Sequence, residues 1–195
     1  MKNLGIYLFD QVEPLDFVGP FEVFTTASDL LKSEKLRVFT FSEKILPITT
    51  IGRMKVIPSM AFSELPPIDY LVIPGGEGSK LVIKNQASME VLHQLIEQAK
   101  WTMSVCSGAR IPAKLGLLDG NQYCTHRSVY ADLEKLVKNG NPKPDRRFVE
   151  ANSKLFTAAG VSAGIDLSLN LVSKTWGYDL AKSVADYMEY PIFND

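Results

Sequence analysis

Short continuous apolar runs alternate along the chain with longer segments in which apolar positions recur every three or four residues. The first pattern suits strands buried on both faces, and the second suits helices lying on a sheet. Leu4–Phe9 reads as a compact strand, followed by a turn at Asp10-Gln11-Val12 and a helix from about Pro14 to Leu31. Leu36–Phe41 and Lys55–Ile57 read as further strands, with Ile45–Ile51 set for a hairpin between them and Gly52-Arg53 as its turn. Asp69–Ile73 ends in Pro74-Gly75-Gly76, as a buried central strand with a flexible loop at its carboxyl end does. Ser88–Lys100 carries Met89, Leu92, Leu95, Ile96 and Ala99 on one helical stripe. Trp101–Val105 returns as a strand, followed by a helix to about Leu115 and turns at Gly116 and Gly120. A strand about Gln122–Thr125 and a helix about Ser128–Val137 come next. Phe148–Glu150 and Lys154–Ala158 predict a hairpin, and helices about Ser162–Trp176 and Tyr178–Met188 close the chain.

Strands alternating with helices predict an α/β fold with a mainly parallel sheet covered on both faces. In such folds ligands bind outside the carboxyl ends of the strands. The loops after the first strand, after Ile73 and after Val105 should therefore meet, bringing Glu13, Asp16, Gly75, Gly76, Glu77 and Cys106 towards one pocket. A length of 195 residues with 46% hydrophobic content suits a single domain over 1–195. A formal charge of −1 offers no basic field, so neither nucleic acid nor a membrane surface is an expected partner. No apolar run approaches the ~20 residues that span a bilayer. The N-terminus reads straight into a strand, so a reducing cytoplasm is the expected compartment, with Cys106 and Cys124 both as thiols.

The chemistry centres on Ser104-Val105-Cys106-Ser107-Gly108-Ala109, where a strand stops abruptly and a helix begins. Small neighbours permit the tight turn that exposes a nucleophile at a sheet edge. Free N–H groups of a helix opening at Ser107 are expected to lower the thiol pKa. A strand-end cysteine is otherwise a small buried hydrophobe. Asp16, at the start of the first helix, is a candidate acid/base for the thiol, or else a carboxylate complementing the helix dipole. Glu13 and Glu22 are weaker candidates. Pro74-Gly75-Gly76-Glu77-Gly78 lacks the Gly-Lys-Ser/Thr of a phosphate loop. Its Gly75 and Gly76 N–H groups, with that of Ser107, suit an oxyanion hole, while Glu77 also reads as an ordinary loop carboxylate. His93 reads as a surface residue, and Cys124 as a packed strand residue. His126 can approach Cys106 or serve structurally. The sparse Cys and His set shows no metal-ligand spacing.

Together, Leu15-Asp16-Phe17-Val18-Gly19-Pro20, Ile73-Pro74-Gly75-Gly76, the Cys106 elbow, Gly116-Leu117-Leu118, Thr125-His126 and Gly160-Val161-Ser162-Ala163-Gly164-Ile165-Asp166 resemble the DJ-1/PfpI superfamily, nearest its isonitrile hydratase branch. The likeness runs from the first strand to Tyr190-Pro191. It implies a flavodoxin-like three-layer α/β/α sandwich of the class I glutamine amidotransferase-like type, usually a homodimer, with no metal or organic cofactor. It also implies Cys106 as nucleophile, Asp16 as acid/base and Ser107 as a helping hydroxyl, acting on a small electrophilic substrate. Arg127 stands where the branch often has tryptophan, and Glu77 where the loop is often less acidic. These two, with His126, are therefore expected at the pocket rim and fit a more polar substrate.

Other branches supply competing readings. The peptidase pattern has His directly after the cysteine, where this chain has Ser107, and no C-terminal His-x-Glu completes an amidotransferase triad. A glyoxalase III-like attack on an aldehyde is the enzymatic alternative. The non-enzymatic ones are a ligand sensor, like the sensor halves of AraC-type regulators, and oxidation sensing at an exposed thiol of low pKa. These residues show neither a recognition helix nor a basic surface.

Overall fold

A computed structural model describes residues 1–32 and 34–191; residues 33 and 192–195 of the expected domain lie outside the described residues. The strands are β1 (Lys2–Tyr7), β2 (Leu36–Ser42), β3 (Ile48–Thr49), β4 (Lys55–Val56), β5 (Met60–Ala61), β6 (Tyr70–Ile73), β7 (Trp101–Val105), β8 (Gln122–Tyr123), β9 (Asn141–Pro142), β10 (Phe148–Glu150) and β11 (Leu155–Ala158). The helices are α1 (Pro14–Leu30), α2 (Ser79–Val82), α3 (Gln86–Gln98), α4 (Arg110–Lys114), α5 (Tyr130–Leu133), α6 (Ala163–Trp176) and α7 (Tyr178–Tyr187).

Seven strands form one sheet in the order β10-β11-β7-β6-β1-β2-β5. Every pairing is parallel except β10 with β11, the hairpin at one edge. From β1 the chain crosses through α1 to β2 in one direction, and from β6 through α3 to β7 in the other. Right-handed crossovers in opposite directions place α1 and α3 on opposite faces, giving three layers. Helices α6 and α7 pack with α1. The crossover direction reverses between β1 and β6, so a crevice opens at their carboxyl ends.

The inner strands justify this arrangement. Tyr70–Ile73 and Trp101–Val105 are buried at every position, as strands covered on both sides must be. Pro14 starts α1, where its missing N–H costs nothing. Asn85 caps α3, its Oδ1 accepting from the Ser88 N–H at 3.2 Å.

Three expectations shift. Ser128–Val137 holds only the short helix α5, with turns on both sides: the Val129 N–H donates to His126 O and that of Leu136 to Leu133 O. This bend lets Val129, Leu133 and Val137 pack with Tyr123 and Leu118 in a second core cluster. The strand from Gln122 ends at Tyr123, because the Cys124 N–H turns to the Thr157 hydroxyl at 2.9 Å. The helix after Val105 opens with a 3₁₀ turn over Cys106–Ala109 before α4 begins at Arg110.

Candidate active site

The loops after β1, β6 and β7 converge. Cys106 stands at the first position past β7 with φ +55°, a left-handed conformation that costs a non-glycine residue about 1–2 kcal/mol. Both ends of this residue are pinned: its N–H donates to Ala159 O at 3.0 Å, and its carbonyl accepts from the Thr125 hydroxyl at 2.7 Å. The turn also needs Gly108, whose added Cβ would lie 2.4 Å from Ile73 O.

Asp16 is fully buried on the first turn of α1. Its Oδ2 accepts from the Gly75 N–H at 2.9 Å, and its Oδ1 has no hydrogen-bond partner. Burial drives its pKa from 3.8 to about 7, opposed by the Gly75 N–H and assisted by the nearby charge of Glu13. Carboxyl and thiol face each other closely enough for each to shift the other's proton affinity.

The thiol behaves opposite to the expectation of a lowered pKa. Burial first, then the negative charge of Asp16, push Cys106 from 9.0 up to about 12, although the N–H groups of Val161 and Ser107 act to lower it. A helix terminus contributes about 0.3–1 kcal/mol, up to ~2 when partly buried. Loss of solvation around so covered a sulfur outweighs that contribution, so burial wins. Cys106 is only 8% exposed.

The Gly75-Gly76 loop also departs from expectation. Rather than facing open space as an oxyanion hole, the Gly75 N–H holds Asp16 and the Gly76 N–H donates to Ser107 Oγ at 2.8 Å. Gly75 must be glycine, since a Cβ there would lie 2.6 Å from Ser107 N and 2.7 Å from Asp16 Oδ2. Ser107 Oγ in turn donates to Gly76 O at 3.1 Å, which ties the elbow to the loop.

The expected rim residues lie outside this cluster. The Glu77 carboxylate faces solvent and pairs with Lys80. Arg127 is exposed. His126 is half-buried, with Nδ1 2.8 Å from Ser128 Oγ, and its ring packs so closely on Gly160 that a Cβ there would lie 2.4 Å from Cδ2. Thr125, rather than His126, reaches Cys106. Sequence reasoning also missed Val161, whose N–H faces the sulfur from a left-handed position at φ +42°. The Gly160-Val161-Ser162 motif was its only signal.

No group of three or more His, Cys, Asp or Glu placed to hold a metal ion occurs among the described residues. No described helix is long and apolar enough to cross a membrane. An open groove of about 1190 Å³ lies elsewhere, between β10 and α6, lined by Arg147, Phe148, Asp166 and Ser173 among others.

The family described as DJ-1/PfpI matches residues 2–174. An isonitrile hydratase of Pseudomonas putida is 30% identical over 96% of this chain and 78% of its own length. A deglycase of Pyrococcus abyssi is 28% identical over 64% of this chain and 72% of its own length. A crystal structure of a ThiJ/PfpI family protein from Pseudomonas syringae superposes with a TM-score of 0.86 at 24% identity, over 99% of this chain and 78% of that one.

Proposed function

The chain belongs to the DJ-1/PfpI family, and within it we propose that this protein adds water to an isonitrile to give an N-substituted formamide, with Cys106 as nucleophile and Asp16 as acid/base. The observation that carries the reading is a buried carboxyl with pKa about 7 facing a thiol at a strained strand end. Similarity to an isonitrile hydratase supports the choice of substrate class. A linear isonitrile ends in its electrophilic carbon, a slim group suited to a sulfur this covered.

The steps follow from proton affinities. Burial and the charge of each on the other let the pair hold one proton between sulfur and carboxyl above pH 7, with Asp16 Oδ1 free to exchange it. As sulfur attacks the isonitrile carbon, its proton passes to Asp16 and then to that carbon, leaving a thioimidate, R–N=CH–S–Cys106. Asp16 next takes a proton from water as the hydroxyl adds to the same carbon, and returns it to nitrogen. Breaking of the C–S bond, with the hydroxyl proton returning to sulfur, releases R–NH–CHO and restores the thiol. The N–H groups of Ser107 and Val161 stand beside the sulfur to steady its negative charge. No histidine is required.

Conversion of cyclohexyl or p-nitrophenyl isonitrile to its formamide tests the proposal. Cys106→Ala is expected to be inactive and Asp16→Asn to lose about a hundredfold or more. The rate should rise with pH through about 7 and then level, as Asp16 loses its proton. Full turnover by Cys106→Ala would sink the mechanism. Similarity to a deglycase favours a second reading, attack on a reactive aldehyde, and methylglyoxal consumption without isonitrile turnover would establish it instead.

We also propose a homodimer. Exposed Leu15 and Val18 on α1 lie beside the β3–β4 hairpin, which exposes Ile51 and Met54 and hydrogen-bonds to Val12 through the Ile51 N–H. This apolar face is the surface a second copy would cover.

A further inference from the structure

Arg110 opens α4, four residues past the nucleophile, with a side chain only 5% exposed. Burying a guanidinium is costly unless it is paired and its donors are used. Its partner Asp132 on α5 is 42% exposed and accepts from Nε at 3.2 Å and Nη2 at 2.5 Å. That pair alone would tether α4 to α5 with the arginine at the surface. Instead Nη1 reaches inward and donates to the fully buried Ser79 hydroxyl at 2.9 Å.

This contact has a direction. A guanidinium has donors and no acceptor, so Arg110 holds the acceptor side of Ser79 Oγ and the single hydroxyl proton must point elsewhere. It points to Gly76 O, 2.7 Å away, while Ser107 Oγ lies farther off at 3.5 Å. Gly76 O also accepts from Ser107, and the neighbouring Gly75 N–H holds Asp16. A chain of oriented hydrogen bonds thus runs from Asp132 through Arg110 and Ser79 to the peptides that aim the acid at the thiol. Arg110 is not among the charges that shift Asp16, so it acts on the acid through geometry.

We infer that Arg110, fixed by Asp132, is a positioning residue of this active site: it orients the Ser79 hydroxyl onto Gly76 and so holds the Gly75-Gly76 peptides against Asp16 and Ser107. The inference rests on reading Cys106 and Asp16 as the reacting pair. Its test needs no isonitrile. The rate of Cys106 alkylation by iodoacetamide is followed against pH by peptide mass mapping, which separates it from the buried Cys124. The groups bearing on that profile are Asp16, Glu13 and the N–H donors of Gly75, Ser107 and Val161. Asp16 takes the thiol proton as sulfur attacks, so alkylation rises as Asp16 ionises near pH 7. Slackening the Gly75 bond removes a contact that favours that carboxylate, and this limb of the profile should move up by about one pH unit in Arg110→Met and in Ser79→Ala. Isonitrile turnover, where present, should fall about tenfold or more in kcat with KM little changed. Because the two side chains act in series, Arg110→Met in the Ser79→Ala background should shift the profile no further. Ser79→Ala, which removes no charge, decides the matter if Arg110→Met fails to fold. A wild-type profile in Ser79→Ala, or additive shifts in the double variant, would overturn the inference even if the protein acts on another substrate. Absence of isonitrile turnover in the unaltered protein would instead refute the proposed reaction and leave the alkylation result to stand.

Discussion

Asp16→Asn should make this protein more stable while disabling it, and the gain should depend on pH in a stated way. Asparagine keeps the shape of the side chain and an oxygen to accept from the Gly75 N–H, but it does not ionise. Folding raises the Asp16 pKa from 3.8 to about 7, mainly through burial. Between those values the folded chain binds more protons than the unfolded one, so stability is full below about pH 4 and is lost as pH rises to about 7. The slope is about 1.4 kcal/mol per pH unit and the total about 4 kcal/mol. The Cys106 thiol titrates between 9.0 and about 12 and stays outside this window. With a urea slope of about 2 kcal/mol per molar, the variant's midpoint should gain about 2 M on the unaltered protein between pH 4 and pH 8. Urea unfolding followed by fluorescence of Trp101, buried under α1, measures this at constant ionic strength. A difference that is constant across pH, or that narrows as pH rises, would refute the account of a buried carboxylate held against its solvation.

Gly75→Ala should cut isonitrile turnover by about a hundredfold or more, because the new methyl collides with Ser107 N and both site oxygens; steady-state kinetics beside a melting curve distinguishes lost alignment from lost fold. Glu77→Gln should leave kcat/KM within about twofold and stability within ~0.5 kcal/mol, as expected of a solvated carboxylate paired with a surface lysine; a large loss of activity would return Glu77 to the pocket rim.

The parallel core was legible because Tyr70–Ile73 is apolar throughout and Trp101–Val105 sets only the small polar Thr102 and Ser104 between its apolar positions, a pattern that has few structural solutions. The meeting of Asp16, Gly75 and Cys106 followed from topology alone, since ligand crevices form where the crossover direction reverses. Elements of two to four residues, such as β5, β9 and α2, are too short to show a period. Hydrogen-bond direction was not legible at all. Gly75 and Gly76 suggested donors facing a substrate, yet their N–H groups serve Asp16 and Ser107. Nor did the residues around Cys106 reveal the sign of its shift, which depends on how much of the chain closes over the sulfur. Arg110 carries no signal in the sequence, because nothing local marks a guanidinium as buried.

That closure has a consequence for the protein's durability. Attack by peroxide requires a thiolate, and folding withholds one by burying the thiol and facing it with a carboxylate. The reading of Cys106 as a resting redox sensor is thereby weakened. The chain is most vulnerable before it is finished: Cys106 leaves the ribosome well ahead of Ala159 and Val161, which complete its surroundings. Until they arrive the sulfur is an ordinary exposed thiol. Oxidative damage should therefore accumulate in newly made and partly unfolded molecules, while the mature protein ages slowly at the residue on which its proposed chemistry depends.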